Sequence, residues 1–244
     1  MKLVSHRGYL ALLGALFGAL WLALALEPRY REDWALENAL VAVLVLAIAA
    51  SHRRFLLSRV SYTLIFLFLC VHEVGAHYTY SEVPYDAWFQ ALTGRSLNAA
   101  MGWERNHFDR FAHFLYGLLL AYPLREFFLR VADVRGFWGY FLPLEFTIAT
   151  SALYELLEWS AAVLLGGELG AAYLGTQGDV WDAQRDMALA SAGALIAMLV
   201  TALINAYLQH DFARELQQSL RVKARTPLGE DEIARLRRTK RLLG

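Results

Sequence analysis

Long apolar runs dominate this chain and restrict it to one class of fold. Of its 244 residues, 57% are hydrophobic and 14% aromatic, which is more typical of a membrane protein than of a soluble domain. A membrane-spanning helix needs about 20 apolar residues, because each residue adds about 1.5 Å across a hydrocarbon core about 30 Å thick. We therefore predict an all-α, polytopic transmembrane helical bundle of about six helices. The predicted helices are residues 8–26, 36–51, 56–77, 108–124, 138–165 and 183–208.

The first apolar run is followed by residues that do not fit a cleaved signal peptide. The segment EPRYREDWA at 27–35 has no small-residue cleavage site, and more apolar runs come after it. We expect the first helix to be retained. We predict two parts, a six-helix transmembrane domain at 1–210 and a basic, helical, cytoplasmic tail at 211–244 with a break at Pro227 and Gly229.

Lysine and arginine are distributed unevenly between the two ends of the predicted helices. The N-terminus, every second loop and the tail hold most of them, and the alternate loops hold fewer. Short loops rich in these residues stay in the cytoplasm, so we predict a multi-pass protein with both termini cytoplasmic. Outside the tail, the residues that favour this orientation are Lys2, Arg7, Arg53, Arg54, Arg59, Arg125, Arg130 and Arg135.

Histidine and carboxylate residues recur in four stretches of this otherwise apolar sequence. An ionisable group inside a membrane segment costs about 2.5–3.5 kcal/mol even on a lenient insertion scale, so few are kept without a partner or a function. In the predicted orientation, all four stretches lie towards the outer ends of the helices. Their shared depth predicts a single outward-facing site. The stretches are HEVGAHYTY (72–80), NHFDRFAHF (106–114), YELLEW (154–159) and QGDVWDAQRDM (177–187).

The side chains in these stretches suit a divalent metal ion. Imidazoles and carboxylates without thiols favour zinc, manganese, iron or magnesium. Spacings of three or four residues put each set on one helix face, which favours Glu73 with His77 over His72 with His77. The HExxxH spacing differs from the HExxH of zincins. The predicted metal ligands are His72, Glu73, His77, Asp109, His113, Asp179, Asp182 and Asp186.

Glu155 and Glu158 are the predicted catalytic residues, together with Arg110. Two carboxylates three residues apart in a low-dielectric layer repel each other, so we expect them to be unequally protonated, as a general acid or base requires. Arg110 is placed to neutralise part of this charge. A structural alternative exists for Asp109, Asp179 and Asp182, since an aspartate at a helix start often caps the helix.

Two families have similar motifs. DRFAHFLYGLLL (109–120), YELLEW and GDVWDAQRDMALASAGALIA (178–197) resemble segments of VanZ-like membrane proteins. A closer likeness, over nearly the whole chain, is to bacterial inner-membrane proteins of the YjdF type, through HEVGAHYTY, ERNHFDRFAHF, YELLEW and QGDVWDAQRDM. The second resemblance implies a location in the bacterial inner membrane within a family of unknown function. The first implies a shared helical core, in a family linked to glycopeptide resistance and envelope homeostasis.

Two classes of function fit these features. As an enzyme, the protein would use metal-activated water, with Glu155 or Glu158 as general base, on a lipid or lipid-linked ester, amide or phosphate. As a binding or transport protein, the same site would hold a cation or a lipid headgroup without breaking bonds. The absence of repeats and of paired helix-breaking residues slightly favours the enzyme. We expect the lipid bilayer as a partner, and no nucleic acid.

Overall fold

The computed structural model describes residues 5–167, 170, 176–223 and 229–243, and in this part of the chain the only regular elements are helices. The all-α fold predicted from the sequence is therefore confirmed. In chain order, the helices are α1 (His6–Ala25), α2 (Arg31–Ser51), α3 (Arg59–Tyr78), α4 (Tyr85–Thr93), α5 (Leu97–Met101), α6 (Phe108–Val131), α7 (Trp138–Leu165), α8 (Asp182–Leu208), α9 (Phe212–Ser219) and α10 (Glu230–Leu243).

Six of these helices are long and match the predicted apolar runs, with two differences. Helix α2 begins at Arg31 rather than 36, and α6 continues through Pro123 to Val131 rather than ending at 124. By length and composition, α1, α2, α3 and α8 could each cross a membrane. Helices α6 and α7 are also long, but they contain several of the charged residues of the predicted site.

The closest helix contact in the bundle is between α6 and α8. A Cβ atom on Gly117 of α6 would lie 1.9 Å from the carbonyl oxygen of Ala190, and one on Gly193 of α8 would lie 2.2 Å from that of Phe114. Small residues allow membrane helices to approach this closely without a hydrophobic driving force. The two helices run in the same direction, so their N-terminal ends lie side by side.

Helix α6 also packs against α3 and α7, which places it at the centre of the bundle. At the N-terminal end of α3, the Glu126 carboxylate of α6 accepts hydrogen bonds from the Ser58 backbone amide (2.8 Å) and the Ser61 hydroxyl (2.5 Å). Helices α1 and α2 pack on the other side of α3. There Trp21 of α1 donates to the Asn38 side chain of α2 at 2.6 Å.

The loop between α3 and α6 contains the short helices α4 and α5, which were not predicted. Asp86 accepts hydrogen bonds from the Asn98 amide (2.9 Å) and the Ser96 hydroxyl (2.8 Å). The hydrogen bond from the Asn98 amide, and to a smaller extent that from the Ser96 hydroxyl, lowers the pKa of the Asp86 carboxyl group. The loop is therefore a defined structure at the end of the bundle where α3 ends and α6 begins.

The tail forms α9 and α10, as predicted, although Pro227 at the predicted break lies outside the described residues. Helix α9 docks on the turn between α6 and α7, where the Ser219 hydroxyl accepts from the Phe137 amide at 2.9 Å. The division into two domains and the cytoplasmic location of the termini remain predictions.

Candidate functional site

Two side-chain pairs face each other at the N-terminal ends of α6 and α8. Helix α6 carries Asp109 and His113, and α8 carries Asp182 and Asp186, each pair separated by one helical turn. Ligand atoms of Asp109, His113 and Asp186 all lie within 4.8 Å of one another, a geometry that could hold a metal ion. Asp186 is 2% exposed, and its Oδ1 atom has no hydrogen-bond partner among the described residues. We call these three residues the Asp–His–Asp cluster.

Helix α7 brings Glu155 and Glu158 to the same place. The Glu155 Oε1 atom lies 3.4 Å from His113 Nε2, which is itself 3.6 Å from Asp109 Oδ1. Glu158 is buried and interacts electrostatically with Asp109, Glu155 and Asp186. Both glutamates therefore face the interior, as the sequence predicted.

Arginine side chains form ion pairs with Asp179 and Asp182, the two predicted aspartate ligands that are not part of the cluster. Asp182 accepts from Arg105 at 2.5 Å and from Arg110 at 3.3 Å. Asp179 pairs with Arg110 and Arg185 and accepts from the Trp181 amide at 3.0 Å. The Trp181 amide and then the neighbouring arginines lower the pKa of the Asp179 carboxyl group. These ion pairs anchor the start of α8 to α6.

His72 faces the site from α3, and both of its ring nitrogens have partners. Thr79 and Tyr80 adopt left-handed backbone conformations that end α3 and fold the Tyr80 ring back over Gly75. Burial raises the pKa of the Tyr80 hydroxyl, which therefore keeps its proton and donates to His72 Nδ1 at 2.5 Å. The His72 Nε2–H donates to the Glu37 carbonyl oxygen at 3.4 Å.

Glu73 and His77 lie apart from the Asp–His–Asp cluster. Glu73 is fully buried, and neither carboxylate oxygen has a hydrogen-bond partner among the described residues. His77 points towards α1, where its Nδ1–H donates to the Leu24 carbonyl oxygen at 2.7 Å. The predicted preference for Glu73 with His77 over His72 is not what the structure shows, since His72 is the residue that faces the site.

Of the eight predicted metal ligands, the structure therefore brings three together. The spacing correctly put Asp109 with His113 and Asp182 with Asp186 on single helices, but Asp179, which was predicted to share a face with Asp182 and Asp186, lies before α8 begins. Spacing also could not indicate which face points inward. Arg110, predicted to act in catalysis, lies between Asp179 and Asp182 and positions α8.

Three residues of the site were not predicted from the sequence. Glu37 of α2 is 3% exposed and accepts a hydrogen bond from the Tyr154 hydroxyl of α7 at 2.9 Å. Tyr80 is the third of these residues, and its hydrogen bond to His72 makes it part of the site. A usable signal for Glu37 was its spacing of four from Asp33, which puts both acids on one face once α2 begins at Arg31.

A cavity of about 400 Å³ adjoins the cluster, between α2, α3, α6 and α7. Its polar end is formed by Asp109 and His113 with His72, Tyr80 and Tyr154. Most of the remaining wall is apolar. The other lining residues are Leu40, Val41, Leu44, Phe68, Leu69, Ala112, Tyr116, Leu120, Thr150, Ser151, Leu153 and Leu157.

The long apolar helices and the buried ionisable site define this chain as an integral membrane protein. It belongs to the family described as "Predicted membrane protein (DUF2238)", whose model matches residues 9–207. It is 39% identical over 170 residues to the "Inner membrane protein YjdF" of Escherichia coli (strain K12), a match that covers 69% of this chain and 77% of that protein. No solved structure matches it. The resemblance to YjdF-type proteins and the location in the inner membrane are confirmed, and the VanZ-like resemblance remains a prediction.

Proposed function

We propose that this protein binds a divalent metal ion through the Asp–His–Asp cluster and uses it to hydrolyse or transfer a lipid or lipid-linked substrate. The observation that carries the proposal is the convergence of Asp109, His113 and Asp186 next to an apolar cavity inside a membrane protein. In the predicted orientation, this site lies towards the outer face of the inner membrane.

The donor set suits a catalytic metal centre. Three protein ligands leave a coordination position for water or substrate, as in catalytic zinc sites, and one imidazole with two carboxylates also suits manganese or iron. The unpartnered Oδ1 of Asp186 supports cation binding at this cluster, because a buried carboxylate oxygen without a partner is costly. A bound ion would acidify a coordinated water and polarise a carbonyl or phosphoryl oxygen.

Other candidate ligands are less suited to the ion. Both nitrogens of His72 have partners, and Asp179 and Asp182 are held by arginines. Glu155 is better placed as a general base, since it lies 3.4 Å from the His113 ring and beside the polar end of the cavity. Glu158, which is buried one turn from Glu155 on the same helix, would share or relay the proton.

A second candidate function is the binding or transport of a cation without chemistry. The observation that favours it is Glu73, a fully buried carboxyl group whose oxygens lack partners among the described residues. Such a group is expected in a protein that carries a proton or cation through a low-dielectric layer. Both functions predict that the protein binds a cation, but only the enzyme would convert a lipid substrate into a product.

Elemental analysis of the purified protein in detergent tests the metal centre. We expect about one divalent ion per chain in the wild type, because the cluster offers one set of three ligands. Asp186→Asn and His113→Ala should each lose most of this bound metal. Asp186→Asn keeps the shape of the side chain, so its loss of metal would report the lost charge.

Matched controls are available on the exposed inner side of the molecule. Asp211→Asn and His210→Ala make the same changes at residues that are exposed and distant in the fold, and both should keep the metal. Equal metal content in Asp186→Asn and Asp211→Asn, in proteins that remain monodisperse, would refute the proposed centre.

A further inference from the structure

We infer that the cavity receives one hydrocarbon chain of a lipid from the outer leaflet, which enters sideways between α2 and α7 with its polar end at Asp109 and His113. This inference names the substrate class of the proposed enzyme, and so it rests on the proposed function for the chemistry at the polar end. The entry route rests on the cavity, and the choice of the outer leaflet rests on the predicted orientation.

The mouth of the cavity opens through the side of the bundle. Leu40 of α2 and Leu153 and Leu157 of α7 line the cavity and are also 45%, 58% and 55% exposed. All three are apolar residues of long hydrophobic helices, so they face lipid rather than water. A ligand that enters between them comes from the bilayer.

The inner wall is closed and apolar. Val41 of α2 and Leu69 of α3 line the same cavity and are each 6% exposed. A molecule can contact these two residues only after it has passed the mouth. The volume of about 400 Å³ lies within the range of about 300–1,000 Å³ that is common for ligand pockets.

The polarity of the cavity matches the orientation of an outer-leaflet lipid. Along α6 the lining runs from Asp109 to Leu120, a rise of about 16 Å at 1.5 Å per residue. Asp109 and His113 lie at the outer end, whereas Leu120 and Leu44 lie deeper in the predicted orientation. A chain parallel to those of the outer leaflet would therefore place its polar group beside the Asp–His–Asp cluster.

A hydrogen bond links α2 and α7, the two helices that flank the mouth. The Tyr154 hydroxyl of α7 donates to Glu37 of α2 at 2.9 Å, and Tyr154 also lines the cavity. The lipid headgroup would meet this bond as the chain slides in.

Photolabelling tests this entry directly. The purified protein is reconstituted into vesicles of phosphatidylethanolamine and phosphatidylglycerol that contain a phosphatidylglycerol with a diazirine near the end of one acyl chain. After irradiation, labelled residues are mapped by mass spectrometry. We expect label on residues of the deep wall, including Leu44, Leu69 and Leu120.

Leu157→Trp narrows the mouth, and Leu156→Trp is its matched control. Leu156 is 57% exposed but does not line the cavity, so the same substitution there leaves the mouth unchanged. We expect Leu157→Trp to reduce labelling of Leu69 about tenfold, a change equivalent to about 1.4 kcal/mol, and Leu156→Trp to leave it unchanged.

Two results would overturn the inference: no label on Leu69 in the wild type, or equal labelling of Leu69 in the two tryptophan variants. Metal content is measured on the same samples. Bound metal without deep-wall label would refute lipid entry and keep the metal centre, whereas deep-wall label without metal would refute the proposed enzyme and keep the lipid site.

Discussion

Replacing Gly117 with alanine tests whether the contact between α6 and α8 holds the site together. A Cβ atom at this position would lie 1.9 Å from the carbonyl oxygen of Ala190, whereas ordinary contacts begin at 3.4 Å. The helices would have to separate by about 1.5 Å, the difference between these distances. Overpacking of this kind typically costs about 1–3 kcal/mol, and a gain in helix propensity of about 1 kcal/mol offsets only part of it.

The separation would act directly on the Asp–His–Asp cluster. His113 lies one turn outward from Gly117, and Asp186 lies one turn outward from Ala190. Ligand bonds of about 2.0–2.2 Å allow two ligand atoms to lie at most about 4.4 Å apart. The cluster atoms lie within 4.8 Å of one another, so only a small closing movement is needed for them to share one ion, whereas an added separation of about 1.5 Å would place the ligands of α6 and α8 too far apart. We expect Gly117→Ala to lower the melting temperature in detergent and to lose bound metal.

Gly14→Ala is the matched control, because a Cβ atom there meets no atom within 4 Å. This variant should melt at the wild-type temperature or higher. Adding Ala190→Gly to Gly117→Ala should not rescue stability, because the clash is with the backbone of residue 190. Wild-type stability and metal content in Gly117→Ala would refute the close helix contact.

Three other predictions concern orientation, pH and chemistry. A topology reporter fused after Arg95 should lie outside the cell and one after Ala132 in the cytoplasm, because of the lysine and arginine asymmetry. Burial, and then the charges of nearby arginines, lowers the pKa of the His107 ring below its ordinary value of 6.5. As the pH falls, the unfolded chain therefore protonates this ring at a higher pH than the native protein does. The melting temperature should therefore fall as the pH drops below 6.5, and His107→Gln should reduce that fall. Glu155→Gln and Glu158→Gln should keep the fold and the metal but lose any lipid conversion detected by mass spectrometry of the bacterial envelope.

Each of these experiments has an outcome that contradicts its premise. A cytoplasmic signal from the Arg95 fusion would move the site to the inner leaflet. A pH dependence in His107→Gln equal to that of wild type and of the exposed control His210→Gln would exclude His107 as its source. Full lipid conversion in both glutamine variants would make Glu155 and Glu158 structural residues.

The pairing of site residues on α6 and α8, and their position at one level of the bundle, could be predicted from the sequence. Asp109 with His113 and Asp182 with Asp186 have the spacing of one helical turn, and the apolar runs around them locate that turn near a membrane surface. These two facts depend only on helix geometry and hydrophobicity. The structure places both pairs side by side, as the matched depth indicated.

The distances between helices could not be predicted in this way. Gly117 and Gly193 resemble any other small residues in an apolar run, yet they allow the backbone contact that brings His113 to Asp186. The role of Glu37 was hidden because the apolar run of α2 starts after it, although the helix itself begins at Arg31. Tyr80 lies beyond the end of α3 and reaches the site only through a left-handed turn.

X-ray absorption spectroscopy of the metal-loaded protein tests most directly whether Asp109, His113 and Asp186 hold the ion. The proposed centre predicts oxygen and nitrogen ligands with imidazole scattering and no sulfur, at about 2.0–2.1 Å for nitrogen if the metal is zinc. His113→Ala should remove the imidazole signal, and His77→Ala should leave it intact. An imidazole signal that survives in His113→Ala, or that disappears in His77→Ala, would contradict the assigned centre.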